Sequence, residues 1–487
     1  MQSSRNMGLR WIAAVMASTT LASCATVPDL GPKPTMRPAT SIAAAQSLAP
    51  AEGNWPMAQW WTIYGDTQLD ALIDEGLKDS PDVVVAAARF RQAQGYAEQT
   101  GAAALPRVNA QARANLMKQS YNEGIPAAFV PHGWQDTGQA ALSLSFDLDL
   151  WGRNRAALAA ATSERDAARI EMNQARLMLT TAIASTYADL ARLYAERDVQ
   201  QSALDVRIAT QKLVADRVQS GLDTRGELRQ ADAGIPTARV DLNATDEAIV
   251  LARHQIAALI GAGPDRGNMI VRPAPSMLAP RALPVDVTTN LVGRRPDVAA
   301  ARARAEAAAS RIKVARADFY PAISLSGLIG LQALGLENVA RSGSSYGNVG
   351  PAISLPIFHG GALRGQYRGA RGTYDEAVAN YDKTVLTAYR EVADAVSSQQ
   401  MLGTRLGDAR LALDASEEAY SIATKRYHGG LSTYLEVLTA EERLLQARRL
   451  MADLNARAFM LDISLVRALG GGFATSSTST SKDMPNG

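Results

Sequence analysis

Along residues 141–153, ALSLSFDLDLWGR, the apolar Leu142, Leu144, Phe146, Leu148 and Leu150 alternate with Ser143, Ser145, Asp147 and Asp149. A period of two puts the apolar set on one face of a β-strand and the polar set on the other. The pattern predicts four strands, at about 106–117, 139–150, 321–331 and 348–358, the last interrupted by Pro351 and Pro356. About nine to eleven residues is the length of a tilted strand that crosses a bilayer.

Between the strands the period changes. From about 361 to 429 apolar residues recur every three or four positions: Tyr367, Ala370, Tyr374, Ala377, Tyr381, Val385, Ala388, Val392 and Ala395, then Leu402, Leu406, Ala409, Leu413, Tyr420 and Tyr427. A seam kept this long implies a coiled-coil helix, roughly 100 Å from end to end. The helix after residue 153 carries a looser version through Leu177, Ile183, Tyr187, Leu190 and Tyr194. Gly221 and Gly430 stand where each long helix turns back, as left-handed C-caps. The returning helices, about 224–261 and 432–470, span about 57 Å each, and the helices upstream of the strands, 82–104 and 297–318, about 35 Å.

These elements occur twice. SPDVVVAAARFRQAQGYAEQTGAAALPRV (80–108) matches RPDVAAARARAEAAASRIKVARADFYPAI (295–323), with Pro81-Asp82 on Pro296-Asp297 and Pro106 on Pro321. RVQSGLDTRGELRQADA matches RYHGGLSTYLEVLTAEE, with Gly221 on Gly430, and ALIG (258–261) falls on RALG (467–470). Each copy reads helix, strand, loop, strand, long helix, turn, helix. A Pro-rich link at 266–295 separates the repeats, 81–265 and 296–472, and leaves 473–487 as a disordered tail.

The helical seams are used by helices, so the strands have no apolar helix to cover them. In a bilayer every backbone group needs a partner, and four strands with free edges leave two rows unpaired. Several chains must therefore pool their strands: two would give eight, three would give twelve, and the pattern alone does not choose.

The chain has a single cysteine, Cys24, and hence no internal disulfide or CxxC. Ahead of it, Arg5 and Arg10 precede a short apolar run from Trp11 to Ala17, which reads as a secretory signal over 1–23. Leu21-Ala22-Ser23-Cys24 resembles the bacterial lipobox, which implies cleavage before Cys24, covalent acylation of its thiol and amine, and an outer-membrane address, since Ala25 follows. A Pro- and Ala-rich tether follows, and residues 24–80 are expected to form a lipid-anchored N-terminal segment and, as the family resemblance set out below implies, an equatorial region. Fifty basic against 48 acidic residues leave no field for nucleic acid. His132, His254, His359 and His428 lack metal-ligand spacing, and no cofactor beyond the lipid is expected. Asp147 and Asp149 have the spacing of a metal pair but no third ligand, so they read as solvated acids facing a lumen.

Taken together, WWTIYGDTQLDALIDEGLKDSPDVVVAAARFRQA (60–93), LPRVNAQ (105–111), LSFDLDLWGRNR (144–155), GRRPDVAAARARAEAAASRIKVARADFYPAISLSG (293–327), SLPIFHGGALR (354–364) and RYHGGLSTYLEVLTAEERLLQARR (426–449) resemble the outer-membrane efflux protein family, the TolC-like channels, in its lipoprotein branch. The resemblance implies a mostly helical homotrimer with a twelve-stranded outer-membrane β-barrel, four strands per chain, continued by a periplasmic α-helical barrel. It implies tip turns at Gly221-Leu222 and Gly430-Leu431 that close the channel and meet a periplasmic adaptor (membrane fusion) protein, and an inner-membrane resistance-nodulation-division transporter as the energised partner. It places Glu436 at an acidic gate position, with Glu227 as its counterpart in the first copy, and puts Thr439 where related channels often carry Asp. The function so implied is a passive exit duct for small molecules such as drugs. Alternatives are a duct for secreted proteins or metal ions, or a coiled-coil lipoprotein without a pore. No catalytic set emerges, and an enzyme is not expected.

Overall fold

The computed structural model describes residues 26–48, 53–122, 126–274, 283–284 and 286–474. The signal at 1–23, Cys24 and all but the first two residues of the tail lie outside them. In chain order the elements are α1 (Thr67–Asp79), α2 (Pro81–Ala102), β1 (Arg107–Met117), β2 (Gln135–Asp147), α3 (Arg153–Gln219), α4 (Arg225–Leu259), α5 (Pro264–Gly267), α6 (Val287–Arg294), α7 (Pro296–Ala317), β3 (Ala322–Leu334), β4 (Ser345–Ser354), α8 (Ala362–His428) and α9 (Tyr434–Ala468). The duplication is plain in the lengths: α2 and α7 have 22 residues each, α3 and α8 have 67, α4 and α9 have 35.

The chain forms two compact units, and they cut across the repeats. One is built from Arg91–Ala167 and Ala301–Asn380 with the described residues up to Met36; the other from Arg37–Phe90, Ala168–Ala300 and Tyr381 onward.

The first unit holds the sheet, an antiparallel meander in the order β1-β2-β3-β4. Residues paired across an antiparallel ladder share a face. Val108 pairs with Leu144, Leu142 with Ile329, Phe146 with Leu325 and Gly327 with Val349, so one face is apolar from edge to edge. Asn109 with Ser143, Gln139 with Gln332, Ser145 with Ser326 and Leu328 with Asn348 give the other face, which is largely polar. Every residue of β1 is exposed, and among the described residues β1 and β4 each have a partner on one side only. At one end of the strands Trp151 stacks on Tyr320 with ring centroids 4.8 Å apart and donates to the Pro321 carbonyl at 2.8 Å. An aromatic pair with a polar handle suits the rim of a membrane layer.

Two strand ends depart from the sequence reading. β2 stops at Asp147, and Asp149 is not a strand residue: it lies in a left-handed turn (φ 45°). Its carboxylate accepts from the backbone N–H of Asn154 at 2.8 Å and of Arg155 at 3.0 Å. The open N–H groups at the start of α3 need acceptors, and this demand outweighs the alternation. Asp147 stays on the polar face, opposite Ser324, and accepts from the Asn154 side chain at 3.2 Å. The fourth strand runs earlier than expected, Ser345–Ser354, and stops before Pro356. Pro351 is tolerated inside it because β4 is an edge strand.

The tether after Cys24 is strapped to α8. In the first unit Arg371 donates to the carbonyls of Gly31, at 3.2 Å, and Pro32, and Tyr374 donates to that of Pro34 at 3.0 Å. In the second, Arg37 pairs with Asp382 at 3.4 Å.

The core of the second unit gathers Trp60, Trp61, Tyr64, Leu69, Leu72 and Ile73 against Ile183, Leu190, Ile256, Ile260, Ile463 and Val466. Each such side chain contributes about 1.5–3 kcal/mol on burial. The helical seam residues Tyr381, Val385, Ala388 and Val392 are buried as their spacing predicts. The Pro-rich link is not bare, since α6 buries Val287 and Leu291 completely. One close approach is repeated in both copies. Gly261 (φ 81°) ends α4 and Gly470 (φ 88°) ends α9. A Cβ on either would collide with a backbone carbonyl, that of Asp79 ahead of Pro81 or that of Arg294 ahead of Pro296. Beside Gly470, Arg295 is buried and satisfied by Asp297 at 2.6 Å, Glu391 at 2.7 Å and the Ala468 carbonyl at 3.1 Å.

Candidate functional site

The two turns at the ends of α3 and α8 have the same backbone. Gly221 (φ 77°) and Gly430 (φ 69°) are left-handed C-caps. The N–H of Leu222 reaches the Arg217 carbonyl at 2.9 Å and that of Leu431 the Arg426 carbonyl at 2.8 Å, which closes a Schellman turn in each copy. Leu222 and Leu431 are left 66% and 73% exposed, two apolar knobs on the turns.

Beyond the turns the copies diverge. Thr224 caps α4: its hydroxyl oxygen accepts from the Glu227 N–H at 3.3 Å, and the Glu227 carboxylate accepts from the Thr224 N–H at 2.6 Å. This is a complete capping box. The second copy has the same Thr-x-x-Glu spacing, but the Thr433 side chain makes no cap bond to α9. Glu436 is an exposed residue on the first turn of α9. With Leu435, Thr439 and Arg443 of α9 and Ser416 and Ala419 of α8, it lines an open groove of about 560 Å³. Thr439 lies one turn after Glu436, and its hydroxyl donates to the Leu435 carbonyl at 2.8 Å. The sequence-predicted gate residues Glu436 and Thr439 therefore share a groove, whereas the Glu227 carboxylate is turned onto its own backbone.

The pattern reading missed a latch that joins the two turns. Arg217, near the end of α3, holds Asp223 with two bonds, Nε at 3.0 Å and Nη2 at 3.2 Å. Tyr427, near the end of α8, donates to the same carboxylate, and the Arg217 guanidinium lies over the Tyr427 ring, 4.6 Å from its centroid. Burial pushes the Asp223 carboxyl up, but the Arg217 guanidinium and the Tyr427 hydroxyl outweigh it and hold the carboxyl below its usual range. Burial, then the Asp223 charge, push the Tyr427 phenol well above its ordinary value. Tyr427 is also the centre of a small core with Val214, Ala231, Tyr434 and Val437. A sequence signal existed. At equivalent positions the first copy has Val218 and Asp223 where the second has Tyr427 and Ser432, so the latch uses the positions at which the duplication is broken.

Further along the helices a buried ion pair ties the repeats together. Arg207 of α3 meets Glu441 of α9 at 3.0 Å and donates to the Gly234 carbonyl of α4 at 3.2 Å. Burial pushes the Glu441 carboxyl up, and Arg207 offsets only part of that. Among the described residues no group of three or more His, Cys, Asp or Glu side chains is placed to hold a metal ion. The arrangement can hold two helix turns together through a reversible, non-covalent latch, beside a groove lined by an acid that makes no ion pair among the described residues.

The outer membrane efflux protein family model matches residues 72–262 and 288–471. A multidrug resistance outer membrane protein, MdtP of Shigella flexneri, is 30% identical over 478 residues, covering 96% of this chain and 98% of its own. The fusaric acid resistance protein FusA of Burkholderia cepacia is 35% identical over 376 residues, 75% of this chain and 70% of its own. The crystal structure of the outer membrane protein VceC of Vibrio cholerae superposes with a TM-score of 0.82 at 46% identity, over 86% of this chain and all of that one. The outer-membrane channel OprN gives 0.83 at 27% identity, over 92% and 99%. The fold is thus that of the trimeric TolC-like channels, with four strands per chain and an internal duplication. The chain belongs to the outer membrane efflux protein family and is an outer-membrane efflux channel that extends into the periplasm.

Proposed function

We propose that three copies of this chain close a twelve-stranded barrel that serves as a passive exit for small molecules, loaded by a periplasmic adaptor protein and an inner-membrane resistance-nodulation-division transporter. The observation that carries this is the sheet, which has an apolar face, a polar face and two unpaired edges. Such a sheet can lie in a bilayer only when neighbouring copies complete it. The relatives named for fusaric acid and multidrug resistance favour small-molecule cargo. The duct does no covalent chemistry and needs no cofactor. The exposed leucines 222 and 431 and their glycine turns offer the adaptor its contacts. Cys24 carries the acyl chains that hold the N-terminus at the outer membrane; Cys24→Ala abolishes incorporation of labelled palmitate, and retained label would place the lipid elsewhere.

Purified protein added to planar bilayers gives discrete channel steps, and the detergent particle has the mass of three chains. A monomer without conductance would end this reading. Loss of drug tolerance in a deletion strain, with secretion and metal tolerance unchanged, identifies the cargo class. Glu436 is proposed as a gate acid, with Thr439 beside it and Glu227, held in its capping box, secondary. Three Glu436 carboxylates around a narrow mouth favour cations. Glu436→Gln therefore weakens cation preference and divalent block in the same recordings, and unchanged recordings would remove Glu436 from the conducting path.

A further inference from the structure

We infer that Arg113, together with the partly offset Arg107, makes the barrel lumen an anion-selective stage that favours carboxylate- and phosphate-bearing solutes. This rests on the reading that neighbouring copies close the barrel.

The four strands contain four charged residues: Arg107, Arg113, Asp136 and Asp147. Asp136 lies on the apolar face, opposite Leu116, whereas Asp147 shares the polar face and stands one step beyond Ser145, the partner of Arg107, so it offsets Arg107 and leaves Arg113 as the uncompensated charge. Asp136 accepts from the Leu336 N–H at 2.9 Å, and Asp147 from the Asp149 N–H at 3.0 Å and the Asn154 side chain at 3.2 Å. The two arginines are exposed, and among the described residues neither makes an ion pair or side-chain hydrogen bond. Their register fixes where they face. Arg107 pairs with Ser145 and Arg113 with Gln139, on the polar face with Asn109, Gln111 and Asn115. The opposite face is the one that can meet lipid.

Closing the barrel does not neutralise Arg113. The free edge of β1 must pair with an edge strand of a neighbouring copy, and the available partner is β4, Ser345–Ser354, with the sequence SYGNVGPAIS. That segment contains no acid, so no register of the new ladder adds a counter-charge to Arg113. Pairing β1 with another β1 would only add arginines. Six residues apart, Arg107 and Arg113 are separated by about 20 Å along the strand. At the tilt of a closed barrel this becomes roughly 15 Å along the axis, giving two stacked rings of guanidinium groups. A water-filled passage walled by low-dielectric material focuses the field of such charges and raises the local concentration of counter-ions. Guanidinium forks bind carboxylate and phosphate oxygens bidentately, which adds chemical preference to the plain charge effect.

The test uses full-length protein in planar bilayers under a KCl gradient, with citrate as the anionic probe added from the barrel side. Arg113→Gln shifts the reversal potential toward cation preference, and Arg113→Glu shifts it further. Arg113→Lys stays near wild type in reversal potential, which separates charge from packing. The half-blocking citrate concentration rises about tenfold in Arg113→Gln, the factor corresponding to one lost charge-assisted hydrogen bond. The citrate effect fades as salt rises, because the field is screened. Conducting Arg107→Gln and Arg113→Gln channels with wild-type reversal potential and citrate block would overturn the inference. Wild-type protein that gives no conductance would overturn the barrel reading itself, and this inference with it.

Discussion

Tyr427→Phe combined with Asp223→Asn opens the channel: conductance in planar bilayers rises severalfold, and cells become sensitive to bulky hydrophilic antibiotics. The Arg217 guanidinium holds Asp223 within the α3 turn, and the Tyr427 hydroxyl of the α8 turn donates to that carboxylate, so the double substitution removes the one charge-assisted bond per chain that joins the two turns. A hydrogen bond to a charged group contributes about 1.5–3 kcal/mol, so three copies supply roughly 4.5–9 kcal/mol. Moving a two-state equilibrium from one per cent open to ninety-nine takes about 5.5 kcal/mol. If these turns form the closing tip, as proposed above, the latch is large enough to set its state. Its pH dependence is weak where cells live. The carboxyl of Asp223 titrates below its ordinary range, so the latch is present above that range and is lost only as pH falls through the lowered value. Conductance should stay constant between about pH 5 and 8. Double-variant channels that conduct like the wild type would show that the turns are held by something else.

The second large effect concerns Arg207 and Glu441. Arg207→Met alone destabilises the folded chain by about 3–5 kcal/mol, because it strands a buried carboxylate. Arg207→Met with Glu441→Gln is close to neutral, since the pair gains little beyond the desolvation it offsets. The acid limb distinguishes the two. Burial raises the Glu441 carboxyl even beside Arg207. A raised carboxyl favours the folded state at pH below its ordinary value and loses that advantage as pH rises through the raised one. The single variant should therefore regain stability on acidification, whereas the double variant should not. Thermal unfolding of the detergent-solubilised protein at two pH values measures this. Equal losses in both variants would mean that Arg207 acts through packing.

Much of this architecture was legible because the governing physics is periodic. The alternation in 141–147, the long seam from Tyr381 to Val392 and the glycines at 221 and 430 each report a local rule, and the structure obeys each. The repeat made every inference twice. Reading failed where one residue had two competing uses. Asp149 continues the alternation but serves α3 as a cap, because open helix N–H groups outbid a strand that is ending. Thr224-x-x-Glu227 and Thr433-x-x-Glu436 share a spacing, yet only the first closes a capping box. The Tyr427–Asp223 contact spans 204 residues. No local period encodes such a contact, and only the mismatch between the repeats marks it. The polar face of the sheet was visible as alternation, but placing Arg107 and Arg113 on it needed the register.

The open edges of β1 and β4 have a consequence for biogenesis. A lone copy has no low-energy position in the hydrocarbon layer, because each edge would carry a row of undressed peptide groups. Insertion and association must then proceed as one concerted event, whose rate rises steeply with local protomer density. A lipid leash confining newly exported chains to a surface would raise that density without adding any contact. Apparent stability would accordingly depend on how many copies are present, as it does for obligate oligomers.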